Sequence, residues 1–250
     1  MIATRRCRSS MIHTVNHSVA YIALARLQAH LHGVRMTVFA SYADKLRISH
    51  LVLRRNTMKI RDTTLIDPQP AGDDLADYTA LVLKFLGLHH ENEDRFLFPA
   101  LREHHALRST DAAHLDRFER EHVAVHALMD EITSLLPAVR RDTAHARRDL
   151  GNRVADLHDL LTPHLDTEED VLRADHLATM IPEDALARCE HDQIAVDKAI
   201  GGTPVFMLLV HSLSEAEQNT LLGKLPWFVR RVLIGGFWKP GYARFRQFAY

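Results

Sequence analysis

Apolar residues recur at steps of three and four in four long stretches of the chain, the period of a helix that buries one face. The first stretch covers about 20–50, with a stripe of His32, Met36, Phe39, Ala43 and Leu46. The second covers about 74–104, opened by Asp73 or Asp74 as N-cap after the breaker PQPAG. Its stripe reads Leu75, Tyr78, Val82, Phe85, His89, Glu93, Phe96 and Ala100. The third covers about 111–136, capped by Thr110 or Asp111 and closed before Pro137, with Leu115, Phe118, His122, Val125 or His126, Met129, Ile132 and Leu136. The fourth covers about 143–175, with Leu150, Val154, Leu157, Leu161, His164, Glu168 and Val171. The connection between the first two is long for a compact bundle, which leaves room for helix one to run on towards residue 60. Beyond 176, IPEDALARCEHDQIA, GGTPVFMLLVHSL and SEAEQNTLLGKLPWFVRRVL read as shorter helices between turn signals, and no stretch alternates as a strand should. The pattern predicts an all-α protein with a helical bundle over 20–175, a helical extension over 176–250 and a disordered tail over 1–19.

Each main stripe is apolar for several turns and then places a histidine, or a histidine and a glutamate, where an apolar residue should stand. Helix one offers His32, with His30 as its rival. Helix two offers His89 and Glu93, helix three His122 and His126, and helix four His164 and Glu168. Spacing of i, i+4 puts two side chains on one helix face, one turn apart. Burying so many ionisable groups in one layer is very costly without compensation, and a cation supplies it by taking imidazoles and carboxylates as ligands. Five histidines and two carboxylates exceed the needs of one ion and suit two, with the carboxylates shared. Nitrogen and oxygen donors without thiolate favour iron, with manganese or zinc as alternatives. Glu169 competes with Glu168, but at 100° per residue Glu168 falls about 40° from His164 and Glu169 about 140°. Pro163, just before His164, either kinks the fourth helix or opens a fresh one capped by Thr162. His90, Glu91, Asp94, His104 and His105 read as solvated or outer groups, Asp94 being placed to orient an imidazole.

Composition narrows the field. Histidine is heavily used, at 18 residues, and the net charge of -1 argues against the broad basic footprint of a nucleic-acid binder. Two cysteines cannot build a thiolate metal site and fit a reducing, cytoplasmic setting. No run of about 20 apolar residues predicts a membrane span, and MIATRRCRSS has no apolar region behind it to act as a secretory signal. A ferritin-like carboxylate bundle needs two Glu-x-x-His motifs, and Glu119 with His122 supplies only one.

The order His, HxxxE, HxxxH, HxxxE on successive helices resembles the hemerythrin-like, or HHE cation-binding, family. HHENEDRFLFPAL and HLDTEEDVL are similar to its second- and fourth-helix signatures, and the C-terminal stretch LPWFVRRVLIGGFWKPGYARFRQF is similar to the tail of one bacterial subgroup. The resemblance implies an up-down four-helix bundle around a non-haem centre of two iron ions, bridged by an oxo or hydroxo group. In that pattern His122, His126 and His164 ligate one iron, His32 and His89 the other, and Glu93 and Glu168 bridge. It further implies an open position for oxygen, peroxide or nitric oxide. The residues do not decide between binding and turnover. The alternative is a redox or oxygen sensor whose centre controls a partner through the C-terminal extension. From Leu221 to Tyr250 that extension carries six basic residues and no acidic one, interleaved with aromatics. They read either as a hairpin packed on the bundle or as a docking surface for a protein, an anionic membrane or nucleic acid.

Overall fold

The computed structural model describes residues 37–66, 70–104, 108–200, 202–222 and 243–248. The expected tail over 1–19, His30, His32, His105 and most of the basic aromatic segment lie outside them. Helix α1 is Val38–Thr63, with the Thr37 side chain accepting from the Ala40 amide at 3.2 Å. Its buried residues Tyr42, Leu46, His50, Leu53, Thr57 and Ile60 keep steps of three and four. The helix does run past residue 60, so the stripe that reaches Leu46 continues to His50.

Helix α2, Gly72–Asn92, passes into a π turn, Glu93–Leu97, and then into α3, Phe98–Glu103. The π turn has a local cause in Pro99, which lacks an amide proton and whose ring clashes with the carbonyl four residues back in a regular helix. The wider turn absorbs one extra residue, with the Phe98 amide donating to the Glu93 carbonyl. Burial beyond Glu93 therefore shifts by one: Leu97, Phe98 and Leu101 are buried, whereas the expected Phe96 and Ala100 are only partly so.

Helix α4 is Ser109–Arg140 and α5 is Ala144–Val171. Pro137 does not end α4, as expected, but lies inside it. The proline faces solvent while Ile132, Leu136 and Val139 stay buried, so packing of the inner face carries the helix past it. Pro163 likewise lies inside an unbroken α5. Between them Asp142 has φ 60, and its carboxylate accepts from the Arg147 Nε at 2.6 Å, which steadies the left-handed turn.

Contacts between neighbours show that the four long helices alternate in direction. Gly72 lies against Val139 while Asp94 meets His122. Thr57 meets His158 while His50 meets Glu169. Asn56 meets Tyr78 while His50 meets His89. The result is an up-down bundle in which α1 and α4 each lie between α2 and α5. A Cβ on Gly72 would lie 2.3 Å from the Val139 carbonyl oxygen, so α2 and α4 meet backbone to backbone there. Gly72→Ala is expected to cost about 1–3 kcal/mol, visible as a lower melting temperature; an unchanged melt would mean that the helices separate freely at this point.

The core falls into two apolar clusters. The upper one holds Leu53, Ile60, Leu75, Phe85, Ile132, Leu136, Leu150 and Leu157, among others. The lower one holds Tyr42, Leu46, Leu97, Phe98, Leu115, Phe118 and Val171. The C-terminal helices enter both. Helices α6, Ala174–Met180, and α7, Glu183–Ile200, give Leu177, Met180, Ala185, Leu186 and Cys189 to the lower cluster. Helix α8, Gly202–His211, and the 3-10 segment Ala243–Phe248 give Phe206, Met207, Leu208, Phe245 and Phe248 to the upper one. Phe248 stacks on Tyr78 at 4.2 Å between ring centroids, so these two C-terminal aromatics pack on the bundle. The remaining described helix, α9, is Glu215–Leu222, tied to α1 by the ion pair of Arg55 with Glu217 at 2.6 Å. No strand occurs among the described residues, and no helix there is long and apolar enough to cross a membrane.

Candidate metal centre

Between the two clusters lies a layer of ionisable side chains with almost no access to water. His50, His90, Glu93, His122, His164 and Glu168 are at most 2% exposed, and His89 is 8% exposed. They form two adjoining groups, His90 with His122 and His164, and His50 with His89, Glu93 and Glu168. Helix geometry explains how α2 serves both. Successive residues turn by about 100°, so His89 faces α1, its ring 4.9 Å from that of His50. His90 faces α4, its ring stacked at 3.9 Å on that of His122.

Nine donor atoms of this layer have no hydrogen-bond partner: Nε2 of His50, His89, His90, His122 and His164, and both carboxylate oxygens of Glu93 and Glu168. Buried polar groups are ordinarily paired, and each orphan costs about 1–3 kcal/mol. The separations within the layer are informative. Glu168 lies 3.4 Å from the His164 Nε2 and 3.6 Å from the His122 Nε2 through one oxygen, and 3.5 Å from the His50 Nε2 through the other. Glu93 lies 3.5 Å from the His89 Nε2 and 3.7 Å from the His122 Nε2. These distances exceed those of good hydrogen bonds. They match two ligands of one ion, since donors each about 2.1 Å from a cation and roughly 90–120° apart sit about 3.0–3.6 Å from each other. Glu168 turns one oxygen to each group, the disposition of a shared ligand.

The far side of four of the five rings is braced. The Nδ1 of His50 meets Glu169 at 3.0 Å, that of His122 meets Asp94 at 2.8 Å, and that of His164 meets Glu121 at 2.9 Å. The Nδ1 of His90 lies 3.3 Å from the His126 Nε2. A carboxylate on Nδ1 holds its proton there, leaves the Nε2 lone pair facing the layer and fixes the ring plane. Burial would raise Glu169, but hydrogen bonds from His50 and from Arg54, the latter at 2.6 Å, outweigh it and hold the carboxyl at about 2. Burial would likewise raise Glu121, and its bonds with Arg117 and His164 bring it below the usual range.

Inside the layer the electrostatics conflict. Burial, then the neighbouring imidazoles, push His89 and His90 well below 6.5. Burial, then Glu168, pushes Glu93 well above 4.5. Burial opposes charge on His122, yet Asp94, Glu168 and Glu93 together lift it to about 10. Such a set is at odds with itself while protons are its only cations, and a bound cation lets the imidazoles stay neutral and the carboxylates ionised.

Five of the seven expected residues, His89, Glu93, His122, His164 and Glu168, meet in this layer. His126 is exposed and stands behind His90, because Val125 rather than His126 lies on the buried face of α4. His32 lies outside the described residues, and α1 brings His50 instead. The signal for His50 was present, since the stripe through Phe39, Ala43 and Leu46 reaches residue 50 at its next step of four. His90 had none, being off the stripe of its own helix. Glu169, the rival of Glu168, serves as the brace of His50.

A bundle whose helices bring imidazoles and carboxylates together in a buried layer defines a histidine- and carboxylate-rich metal-binding protein, the class in which this one falls. The family model of the hemerythrin HHE cation binding domain matches residues 41–174, and the chain belongs to that family. The match begins after His32 and includes His50. No curated protein and no solved structure is significantly similar to the chain.

Proposed function

We propose that the seven buried side chains hold two non-haem iron ions and that the centre binds or turns over a small oxidant: oxygen, peroxide or nitric oxide. The observation that carries this reading is the set of nine partnerless donors, sealed between two apolar clusters. His90, His122 and His164 would hold one ion and His50 and His89 the other, with Glu93 and Glu168 shared. In this assignment His50 takes the place first given to His32, and His90 that given to His126. Iron held by imidazole and carboxylate would supply electrons to a small oxidant.

The protein's own work is positional. Asp94, Glu121 and Glu169 hold three Nδ1 protons and so aim three Nε2 lone pairs inward. The apolar clusters on either side keep bulk water from the ligands. The half built on His50 and His89 has two imidazoles where the other has three, so a small external ligand is expected there. The proposed setting is the cytoplasm, a reading supported by the free thiol of Cys189.

The test is metal content and optical absorption of the purified full chain, with variants. Two irons per chain are expected. His50→Ala and His90→Ala should each lose iron, His126→Ala, which removes an outer partner of His90, should lower affinity by about 10–100-fold at most, and His32→Ala should leave it unchanged. Equal loss from His32→Ala and none from His50→Ala would reverse the assignment of helix one. Mixing the iron-loaded protein with oxygen, peroxide or nitric oxide in a stopped-flow spectrometer then identifies the reactive oxidant. A second reading, a redox or oxygen sensor, is favoured by one observation: the helices after residue 174 share both apolar clusters with the bundle. Hydrogen exchange that changes over 183–222 when the iron is oxidised would support the sensor, and exchange unchanged there would count against it.

A further inference from the structure

The lower cluster is not closed by the four long helices alone. Helix α7 inserts Ala185, Leu186 and Cys189 into it and, one turn on, presents Gln193, which is 8% exposed. The side-chain amide of Gln193 donates to two acceptors at 3.1 Å each: the hydroxyl oxygen of Tyr42 and the main-chain carbonyl of Asn92. Neither acceptor belongs to the proposed centre, but each stands close in sequence to a residue that does. Tyr42 precedes His50 on the buried stripe of α1 by two steps of four. Asn92 is the last residue of α2, directly before Glu93 and the π turn.

An amide nitrogen has two protons in one plane, about 120° apart. When both are spent on acceptors from different helices, a narrow range of separations between those helices satisfies both bonds. The chain connection between α1 and α2 runs from Thr64 to Ala71, at the opposite end of the bundle from Tyr42 and Asn92. Gln193 therefore fixes, from outside the four-helix bundle, the distance between the helix that carries His50 and the helix that carries His89 and Glu93. The His90, His122 and His164 half is braced otherwise, by His126, Asp94 and Glu121.

We propose that Gln193 is a positioning residue of the metal centre, acting through Tyr42 and Asn92 on the half formed by His50, His89 and Glu93. The C-terminal helices would then be part of the ligand geometry as well as of the core. This rests on the reading of the seven residues as a two-ion centre, and it makes an unequal prediction: because Glu93 is shared and His90 also stands on α2, loss of Gln193 weakens the ion of His50 and His89 clearly more than the other.

The test is titration of the metal-free full chain with Co(II), followed by its visible ligand-field absorption and by competition with a chelator. Gln193→Met keeps the volume and removes both donors. Tyr42→Phe removes one acceptor and leaves the bond to Asn92. Two Co(II) per chain are expected in the wild type. In Gln193→Met the site of His50 and His89 should weaken by about tenfold or more with altered absorption bands, and the other site by clearly less. Tyr42→Phe should shift the same site by less, and the metal-free melting temperatures of all three should lie close together. Two sites of wild-type affinity in Gln193→Met would overturn the proposal. So would equal weakening of both sites alongside a matching loss of metal-free stability, the mark of a merely structural role. A wild type that takes up no Co(II) overturns the two-ion reading itself and this inference with it, an outcome distinct from the other two.

Discussion

Glu93→Met is expected to make the metal-free protein more stable and the metal-supplied protein less so. In the metal-free chain Glu93 is a buried carboxyl whose two oxygens find no partner, facing Glu168 in the same condition. Burial pushes it towards the protonated form, but protonation supplies a donor and still leaves acceptors unmet. Replacing a buried ionic pair or triad by apolar residues of similar volume is often neutral or gains about 1–4 kcal/mol, and Glu93, which burial pushes towards its neutral form, can be replaced alone without stranding a charge of its own. For a chain of this length each 1 kcal/mol moves the melting temperature by roughly 2–4 °C, so the metal-free variant should melt several degrees above the metal-free wild type. Metal reverses the order. An ion at a thousand times its Kd adds about 4 kcal/mol to a protein that binds it only when folded, and the variant has lost a shared ligand. Thermal melts of both chains, with chelator and with Fe(II) under anaerobic conditions, should therefore cross. A variant that melts below the wild type in chelator would show that Glu93 is satisfied without metal, and the central argument would fail.

A chain ending at Arg173 is expected not to fold, although it retains every proposed ligand and nearly all of the family match. Truncation there removes Leu177, Met180, Ile181 and Leu186, all 3% exposed or less, from beneath the centre. Burial of such a side chain contributes about 1.5–3 kcal/mol, so these residues together represent roughly 6–12 kcal/mol as an upper estimate. That is comparable to the whole stability of a typical domain, about 5–15 kcal/mol. The upper cluster loses Phe206, Leu208, Phe245 and Phe248 as well. Helix α2 suffers most, since Tyr78 to His90 is buried around most of its circumference and, among the described residues, the C-terminal segments cover its outer side. Circular dichroism and gel filtration of residues 1–173 should show a poorly folded or aggregated chain. A cooperative melt within a few degrees of the full-length protein would mean that the extension is a separable module.

Much of the architecture follows from period alone. The stripes of α2, α4 and α5 are buried as their spacing dictates, because an amphipathic helix has one face it can bury and the sequence states which. The pairs His89 with Glu93 and His164 with Glu168 follow from the same rule, each being two polar residues one turn apart on an otherwise apolar stripe. In helix one the same steps lead on past Leu46 to His50, Leu53, Thr57 and Ile60, so that stripe carries His50 as a second candidate beside His32. The one-residue shift after Glu93 comes from the π turn that Pro99 imposes, which no regular helical period contains.

By itself, then, the sequence determined that four helices bury polar residues at one level and that those residues suit a cation. Only the tertiary structure decided that His90 and not His126 joins that level, that Glu169 braces while Glu168 faces inward, and that α7 closes the space beneath. The physical reason is that periodicity records how a side chain is directed about its own helix axis. Whether that direction ends at an ion site, a neighbouring ring or water depends on where the other helices stand, and their positions are set by packing between segments far apart in the chain.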